Sequence, residues 1–375
     1  MVAVSYQLFI NDTPAESQLV DAIQNIEVED NIDLADMIRL RISIAVKDGC
    51  SEWSVIDENI FDRLTKLEIT VAVGSGPPEH LMQAYVIETD AGFANQPGQS
   101  VLNVVAMDPT VLMNLQPNSK PWPNMSDSDI ATAIFTNSDY GFTPVVDSTS
   151  PQWSDQDVTQ QQRLTDIQYL RKLAKRNGFE CYVETNPLTG IVEGHFHAPH
   201  LQDPAQALIS VNLGESTNVN SFKARYDMLR PATARATSLD IDSQSNQDVQ
   251  STGGSLTQLG KSSSVPTDKP RQVLLARTGL FDGGDLQRMT QAFVDQSALA
   301  IVADGDLNTS VFGKILRAKR PVEVRGAGVQ FSGTYYVQKV LHTLAGDSYT
   351  QAFTLRRNGT GLIGNENFSD PGAAA

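Results

Sequence analysis

The sequence predicts a mainly β fold (α+β overall) with two β-barrel domains, an inserted α+β subdomain and an additional helix. Apolar and polar residues alternate in the first hundred residues, a helix and a hairpin are clearly marked in the middle, and the alternation returns near the C-terminus. A period of two places one face of each strand on a core. The 375 residues suffice for two or three domains, each with its own core.

The first β domain is expected over residues 1–115. Alternating apolar residues predict strands at 4–10, 38–46, 67–73, 81–89 and 101–107. Five or six strands joined by short turns are typical of a closed or nearly closed barrel, or of a sandwich. We favour a barrel because closure removes exposed strand edges.

The α+β subdomain is expected over residues 116–205. Two helix starts carry capping-box pairs, Ser126 with Asp129 and Thr165 with Gln168. The second helix is the clearest of the chain, and Gly178 after Asn177 provides a left-handed end. A hairpin is predicted to follow it, with strands at 179–184 and 191–197.

The second β domain is expected over residues 206–358. Strands are predicted at 207–213, 221–226, 233–241, 321–324, 333–342 and 349–355. Residues 242–267 are rich in Ser, Gln and Gly and predict an exposed loop or a mobile segment. A helix is expected over 285–302. Residues 359–375 predict a tail that is poorly ordered unless a partner holds it.

Composition excludes several functional classes. A formal net charge of −16 argues against a nucleic-acid grip, which needs clustered Lys and Arg. The acidity either keeps the protein soluble or lines a lumen with negative charge, so that passing DNA or cargo does not adhere to it. No apolar run of about 20 residues predicts a membrane span, and the N-terminus predicts no secretory signal. Only Cys50 and Cys181 are present, which favours folding in a reducing cytoplasm.

His195, His197 and His200 form the one candidate metal cluster of the sequence. On a strand, His195 and His197 would share a face with Glu193, and two imidazoles at that spacing can chelate a metal. No cysteine and no further carboxylate accompanies them. We therefore interpret the segment as a strand end with solvent-facing polar side chains and assign no metal ligand.

Other chemistry is weakly supported by the sequence. Cys181 could be a nucleophile, but its apolar neighbours favour a buried, inert thiol. No carboxylate pair, phosphate-binding loop, dinucleotide fingerprint or serine elbow is recognisable. We expect no catalytic residue, no cofactor and no enzyme activity. The polar segment 243–264 favours a solvated loop over carbohydrate contact, and only Trp53, Trp122 and Trp153 are available to an adhesin.

Three segments resemble one known family. They are residues 31–108, with KLEITV at 66–71, YVIET at 85–89 and VVAMD at 104–108; TDIQYLRKLAKRNGF at 165–179; and GAGVQFSGTYYV at 326–337 with FTLRRNG at 353–359. In order and spacing they resemble the phage late control gene D family, the hub proteins of contractile baseplates. The likeness covers nearly the whole chain.

The resemblance implies two tail-tube-like barrels per chain and a homotrimer that forms a pseudo-hexameric ring. Such a ring joins a hexameric inner tube to a trimeric spike in a phage virion or an injection-system particle, beside a LysM-type adaptor and wedge proteins. VgrG proteins of type VI secretion carry a fused spike, whereas this sequence ends soon after Asn358 without a β-helical repeat. We therefore expect the spike to be a separate protein that binds residues 359–375. A cell-wall hydrolase and a carbohydrate-binding adhesin are the alternatives.

Overall fold

The computed structural model describes residues 2–46, 52–96, 98–152, 160–240, 245–276, 283–346, 348–364 and 366–369. The fold is mainly β, as predicted, and is built on a large, mostly antiparallel sheet. Cys50 and Trp153 lie outside the described residues. Within those residues, no helix is long and apolar enough to cross a bilayer.

The first β-region follows the predicted alternation. Its elements are β1 Val4–Ile10, β2 Thr13–Pro14, α1 Ser17–Ala22, β3 Ile23–Asn31, β4 Met37–Ser43, β5 Lys66–Val73, β6 Glu79–Gly92 and β7 Val101–Met107. In β4 the side chains of Ile38, Leu40 and Ile42 are buried, while Arg39 and Arg41 point outward. Strand β3 and helix α1 were not predicted.

The middle region combines helices with a small sheet. Its elements are a 3-10 helix Pro109–Asn114, β8 Lys120–Trp122, α2 Asp127–Phe135, β9 Thr143–Val146, β10 Gln160–Gln162, α3 Asp166–Asn177, β11 Glu180–Thr185 and β12 Val192–His197. The predicted hairpin is β11 with β12, and β9 adds to β12 in parallel.

One of the two predicted capping boxes is present. The Ser126 hydroxyl accepts the Asp129 amide at 3.1 Å, and the Asp129 carboxylate accepts the Ser126 amide at 2.9 Å. The prediction for Thr165 is wrong: its hydroxyl donates to Asn114 Oδ1 at 2.8 Å and makes no cap hydrogen bond. Tertiary contact thus replaces the local cap. The helix still ends at Gly178, whose φ is +69°.

The last region contains the second group of strands. Its elements are β13 Leu208–Ser210, a 3-10 helix Gly214–Ser216, β14 Ser221–Tyr226, β15 Ala232–Asp240, β16 Ser245–Ser251, β17 Ser262–Ser263, β18 Arg271–Ala276, α4 Gly283–Ala298, β19 Ile301–Asn308, α5 Thr309–Phe312, β20 Pro321–Arg325, α6 Gly328–Phe331, β21 Gly333–Ala345, β22 Ser348–Arg357 and β23 Gly359–Thr360. Helix α4 ends earlier than predicted because β19 begins at Ile301.

The exposed loop expected at 242–267 is only partly present in the residues that the structure describes: residues 252–258 are mostly exposed and outside any strand, but strands lie on either side of them. Strand β16 pairs antiparallel with β15, and β17 pairs with β23. Leu259 is buried, and its amide donates to the Asn358 side chain at 2.8 Å. Polar composition misled here because β16 is an edge strand whose described side chains are mostly exposed. The expected tail at 359–375 likewise begins with two residues of strand.

One sheet runs through both β-regions. Its order is β14-β19-β22-β21-β3-β4-β7-β6-β5-β1-β2, with β20 beside β21 and β13 beside β20. The first β-region and the last region each enclose a hydrophobic core, and helices α2 and α3 with the β11–β12 hairpin enclose a third. Strand β21 therefore belongs to both β-regions.

Candidate functional site at the junction of the cores

The candidate site lies where two strands meet end to end along one edge of β21. Strand β20 pairs with the first part of β21, with Pro321 opposite Tyr336. Strand β3 pairs with the later part, with Asn31 opposite Lys339. The residues before β20 and at the end of β3 therefore meet in the gap between the two pairings.

Carboxylates from three neighbouring strands lie in this gap. Each carboxylate lies two residues from a buried apolar side chain: Asp30 from Val28, Asp36 from Ile38, and Asp108 from Ala106. A spacing of two in a strand keeps side chains on the same face. The inward row of the first core therefore ends in three aspartates.

Lys319 supplies the central cation. Its Nζ donates to Asp30 Oδ1 and to Asp36 Oδ2, both at 2.7 Å, and lies 4.7 Å from the centroid of the Tyr182 ring. The residue is only 3% exposed. Burial alone would lower the pKa of Lys319, but the nearby carboxylates raise it above its ordinary value, so the ammonium stays charged.

The three aspartates have unequal pKa values. Burial would raise the pKa of Asp30, but the charge and hydrogen bond of Lys319 outweigh it and hold this pKa below its usual value. Burial and neighbouring carboxylates raise the pKa of Asp36, against the attraction of Lys319. Burial also raises the pKa of Asp108, which accepts the Asp36 amide at 2.7 Å. One buried cation thus organises a cluster that holds negative charge at Asp30.

Two arginines beside Lys319 reach different parts of the chain. Arg317 donates to Glu79 Oε2 at 3.1 Å and to the His80 carbonyl at 3.0 Å, both in β6. Arg320 donates to Glu184 Oε1 in the hairpin at 2.9 Å. The segment 317–320 therefore joins the last region to both of the others.

Glu180 and Tyr336 make a further contact across the junction. The Tyr336 hydroxyl donates to Glu180 Oε2 at 2.8 Å. Burial raises the pKa of Glu180 to about 8, against the opposing effects of this hydrogen bond and of Lys319. This carboxyl is therefore partly protonated near neutral pH.

The interpretation of the histidines as solvent-facing is wrong for His195 and His197, whereas the side chain of His200 is 39% exposed. His195 and His197 are 7% and 1% exposed because β12 is the central strand of a three-stranded sheet. His200 stacks on His197 with ring centroids 3.9 Å apart. The structure instead brings His195 together with Glu184 and Glu193, whose ligand atoms all lie within 4.8 Å of one another. Among the described residues, this group could hold a metal ion.

Cys181 lies in β11 with its side chain in the middle core. Burial raises the pKa of its thiol to about 12, so the thiol is protonated at neutral pH. Protonated and enclosed, it has the properties of a structural residue.

The junction was missed in the sequence although a signal was present. Asp36 and Asp108 continue the period of the buried rows Ile38–Ile42 and Leu102–Ala106 at their ends. A charge in register with a buried row indicates a buried partner, because an unpaired interior carboxylate is costly. The partner, Lys319, lies too far along the chain for spacing to reveal it.

A cavity beside the cluster is lined by Asp30, Asp36, Asp108, Glu184 and Arg317, among others. It has space for water rather than for a sugar ring or a peptide. The chemistry of the junction is therefore ion pairing and hydrogen bonding between parts of the chain.

Comparison with solved structures identifies the fold. A tail protein of Neisseria meningitidis superposes with a TM-score of 0.68 at 10% identity, over 95% of this chain and 97% of that chain. The 43 kDa tail protein of prophage MuSo2 from Shewanella oneidensis superposes with a TM-score of 0.67 at 12% identity, over 95% and 99%. The two proteins share this fold over nearly their whole length.

A third similar structure comes from a secretion machine. It is an E. coli component of the type VI secretion system, described as structurally similar to the T4 bacteriophage tail proteins gp27 and gp5. Its TM-score is 0.57 at 10% identity, over 93% of this chain and 76% of that chain. The fold is thus found in phage tails and in type VI secretion.

Comparison by sequence gives one family. No curated protein matches the chain. The family described as the Alg8 N-terminal domain has a model that matches residues 2–346, which is most of the sequence. The chain therefore belongs to the Alg8 N-terminal domain family and has the fold of phage tail proteins.

Proposed function

We propose that the protein is the non-enzymatic hub subunit of a contractile baseplate, of the late control gene D type, in a phage tail or an injection system. Three copies would form a pseudo-hexameric ring between a hexameric inner tube and a trimeric spike. Residues 1–115 and 206–358 would be the two tube-like units of each copy. Residues 116–205 would be the attached subdomain, and 359–375 would face the spike.

The observation that carries this proposal is the single sheet that passes through both β-regions. A ring between tube and spike must transmit thrust without a change in the angle between its units. Strand β21 contributes to both units, and its backbone hydrogen bonds to β3, β20 and β22 resist bending between them. The buried ion pairs of Lys319 with Asp30 and Asp36 also connect the two units.

The fold of the relatives supports a tail component. The two tail proteins are matched over nearly their whole length. In the proposal, the hub assembles in the bacterial cytoplasm and becomes part of the particle, with wedge proteins and a LysM-type adaptor around it.

The test is assembly with tube and spike. Native mass spectrometry of the purified chain, alone and mixed with the tube and spike proteins of the same gene cluster, should give three copies of the 40.8 kDa chain and a complex with each partner. Tube and spike mixed without the hub are the control and should not associate. A monomer that binds neither partner would contradict the proposal.

The absence of enzyme activity is tested separately. The purified chain is expected to leave peptidoglycan intact in a dye-release assay in which lysozyme serves as the positive control. Hydrolysis by the chain would overturn the non-enzymatic part of the proposal and favour a tail-tip hydrolase.

A further inference from the structure

Three hydrogen-bond acceptors converge beside the junction, on the β11–β12 hairpin. His195 Nε2 lies 3.5 Å from Glu193 Oε2 and 3.7 Å from Glu184 Oε1. It is a buried nitrogen with no hydrogen-bond partner. An orphaned buried nitrogen facing two carboxylates requires an explanation.

Hydrogen bonds favour one tautomer of His195. His197 Nδ1 lies 2.8 Å from the Ala198 carbonyl, which can only accept, so this nitrogen carries the proton. The Nε2 of a neutral His197 is then an acceptor, and His195 Nδ1 donates to it at 3.2 Å. The Tyr182 hydroxyl lies 3.3 Å from the same Nε2, but that nitrogen has a single lone pair, so the two groups compete for it. In this tautomer His195 Nε2 presents a lone pair, not an N–H, to the two carboxylates. A lone pair and two carboxylates at these distances repel one another unless a cation lies between them.

The side chains are held in place for such a cation. The Tyr182 ring stacks on the His195 ring at 4.5 Å between centroids and 10° between planes. Asn186 donates to Glu193 Oε1 at 3.0 Å, which leaves Oε2 directed at the imidazole. Arg320 occupies one lone pair of Glu184 Oε1, and a carboxylate oxygen has a second. Such hydrogen bonds orient ligands in metal sites.

We propose that Glu184, Glu193 and His195 bind a divalent transition metal ion of the zinc class. An imidazole and two carboxylates are ligands that Zn²⁺ accepts, with one position left for water. Tetrahedral bonds of about 2.1 Å place ligand atoms about 3.4 Å apart. The separations of 3.5 and 3.7 Å from His195 Nε2 agree with that spacing. The partly exposed glutamates give the ion a path from solvent.

Metal binding here would strengthen the joint between the middle and last regions. Glu184 receives Arg320 from the segment before β20, so an ion on Glu184 fixes the hairpin at that contact. The proposal is independent of the hub function and concerns the stability of this chain alone. It revises the expectation from sequence, which considered His195 with His197 and Glu193 but had no reason to add Glu184.

The test is calorimetric titration of the untagged full chain, stripped with EDTA, with ZnSO₄. We expect one ion per chain and at least tenfold weaker binding in both Glu193→Gln and His195→Gln. His200→Gln is the matched control, because His200 stacks on His197 but lies outside the ligand group, and it should bind as the wild type does. Zinc should also raise the melting temperature of the wild type but not that of Glu193→Gln.

Two outcomes would overturn the site. One is the absence of stoichiometric zinc binding by a wild-type chain whose circular dichroism shows a folded β protein. The other is zinc binding that both Glu193→Gln and His195→Gln retain at full affinity. Glu193 is partly exposed, so its variant keeps the test valid if the buried His195→Gln fails to fold.

Discussion

The core of the first β-region and the charged junction occupy the same face of the same strands, yet different forces hold them. In β3 the buried row runs through Ile26 and Val28 and then reaches Asp30, which pairs with Lys319. Apolar burial contributes roughly 25 cal/mol per Å² and needs no particular partner. A buried charge needs one specific partner, because its desolvation costs several kcal/mol.

This contrast predicts which side chains can be replaced at a small cost in stability and which cannot. An apolar side chain in the core can be exchanged for another of similar volume at a cost usually below about 1.5 kcal/mol. In the junction, removal of one member of an ion pair leaves the other charge buried without a partner and strongly destabilises the fold. The three predictions below test that difference.

The largest effect is expected from Lys319→Met, which keeps the length of the side chain and removes its charge. Asp30 and Asp36 would be left buried without their cation, so we expect a loss of about 3–5 kcal/mol in the free energy of unfolding. Urea denaturation at pH 7 measures it.

Lys339→Met is the matched control for this substitution. Lys339 Nζ lies 2.8 Å from Glu29 Oε1, but its side chain is 37% exposed. Exposed ion pairs contribute about 0–1 kcal/mol. Equal losses in the two variants would mean that burial does not distinguish the junction from the surface.

The fold could be predicted from the sequence wherever a local pattern determines it. The alternation in β4 and β7, the Ser126 cap and the Gly178 helix end are all set by residues within a few positions of one another. Strand β16 was missed because an edge strand with mostly exposed side chains carries no apolar alternation. Strand β19 was missed because its start at Ile301 falls inside the predicted helix, and its middle carries Asp304-Gly305-Asp306 in place of apolar residues.

The candidate site could not be predicted in the same way. Asp36 and Lys319 are 283 positions apart, and they meet because β4 pairs with β3 while β3 and β20 both pair with β21. Of the proposed metal ligands, His195 and Glu193 share a strand and were noticed. Glu184 comes from the partner strand, where it lies directly opposite Glu193.

A smaller effect on stability tests whether His342, in the interior beside the junction, stays uncharged in the folded chain. His342 is fully buried in β21, its Nδ1 lies 2.8 Å from the Tyr349 hydroxyl, and burial lowers its pKa to about 3. Below pH 6.5 the unfolded chain binds a proton at His342 that the folded chain does not, so stability falls as the pH falls toward 3.

We therefore expect His342→Gln to reduce the acid slope of the unfolding free energy by about 1.4 kcal/mol per pH unit. Over pH 6.5 to 5 this amounts to about 2 kcal/mol. Urea denaturation of both proteins at several pH values in this interval measures the slope. If the slope of the variant equals that of the wild type, His342 is protonated in the fold and the interior beside the junction accepts charge.

The smallest effect concerns Glu180, whose pKa is raised by burial to about 8. Between pH 4.5 and 8 the folded chain retains a proton that the unfolded chain has lost, so this residue lowers stability as the pH rises. Glu180→Gln keeps an oxygen that can accept from Tyr336 and has no charge to bury. The free energy of unfolding of Glu180→Gln should be close to that of the wild type at pH 4.5 and exceed it by about 1–2 kcal/mol at pH 8. This value is reduced because Glu180 is partly exposed. Thermal melts across this range would show a growing difference, whereas a constant difference would mean that Glu180 is ionised in the fold.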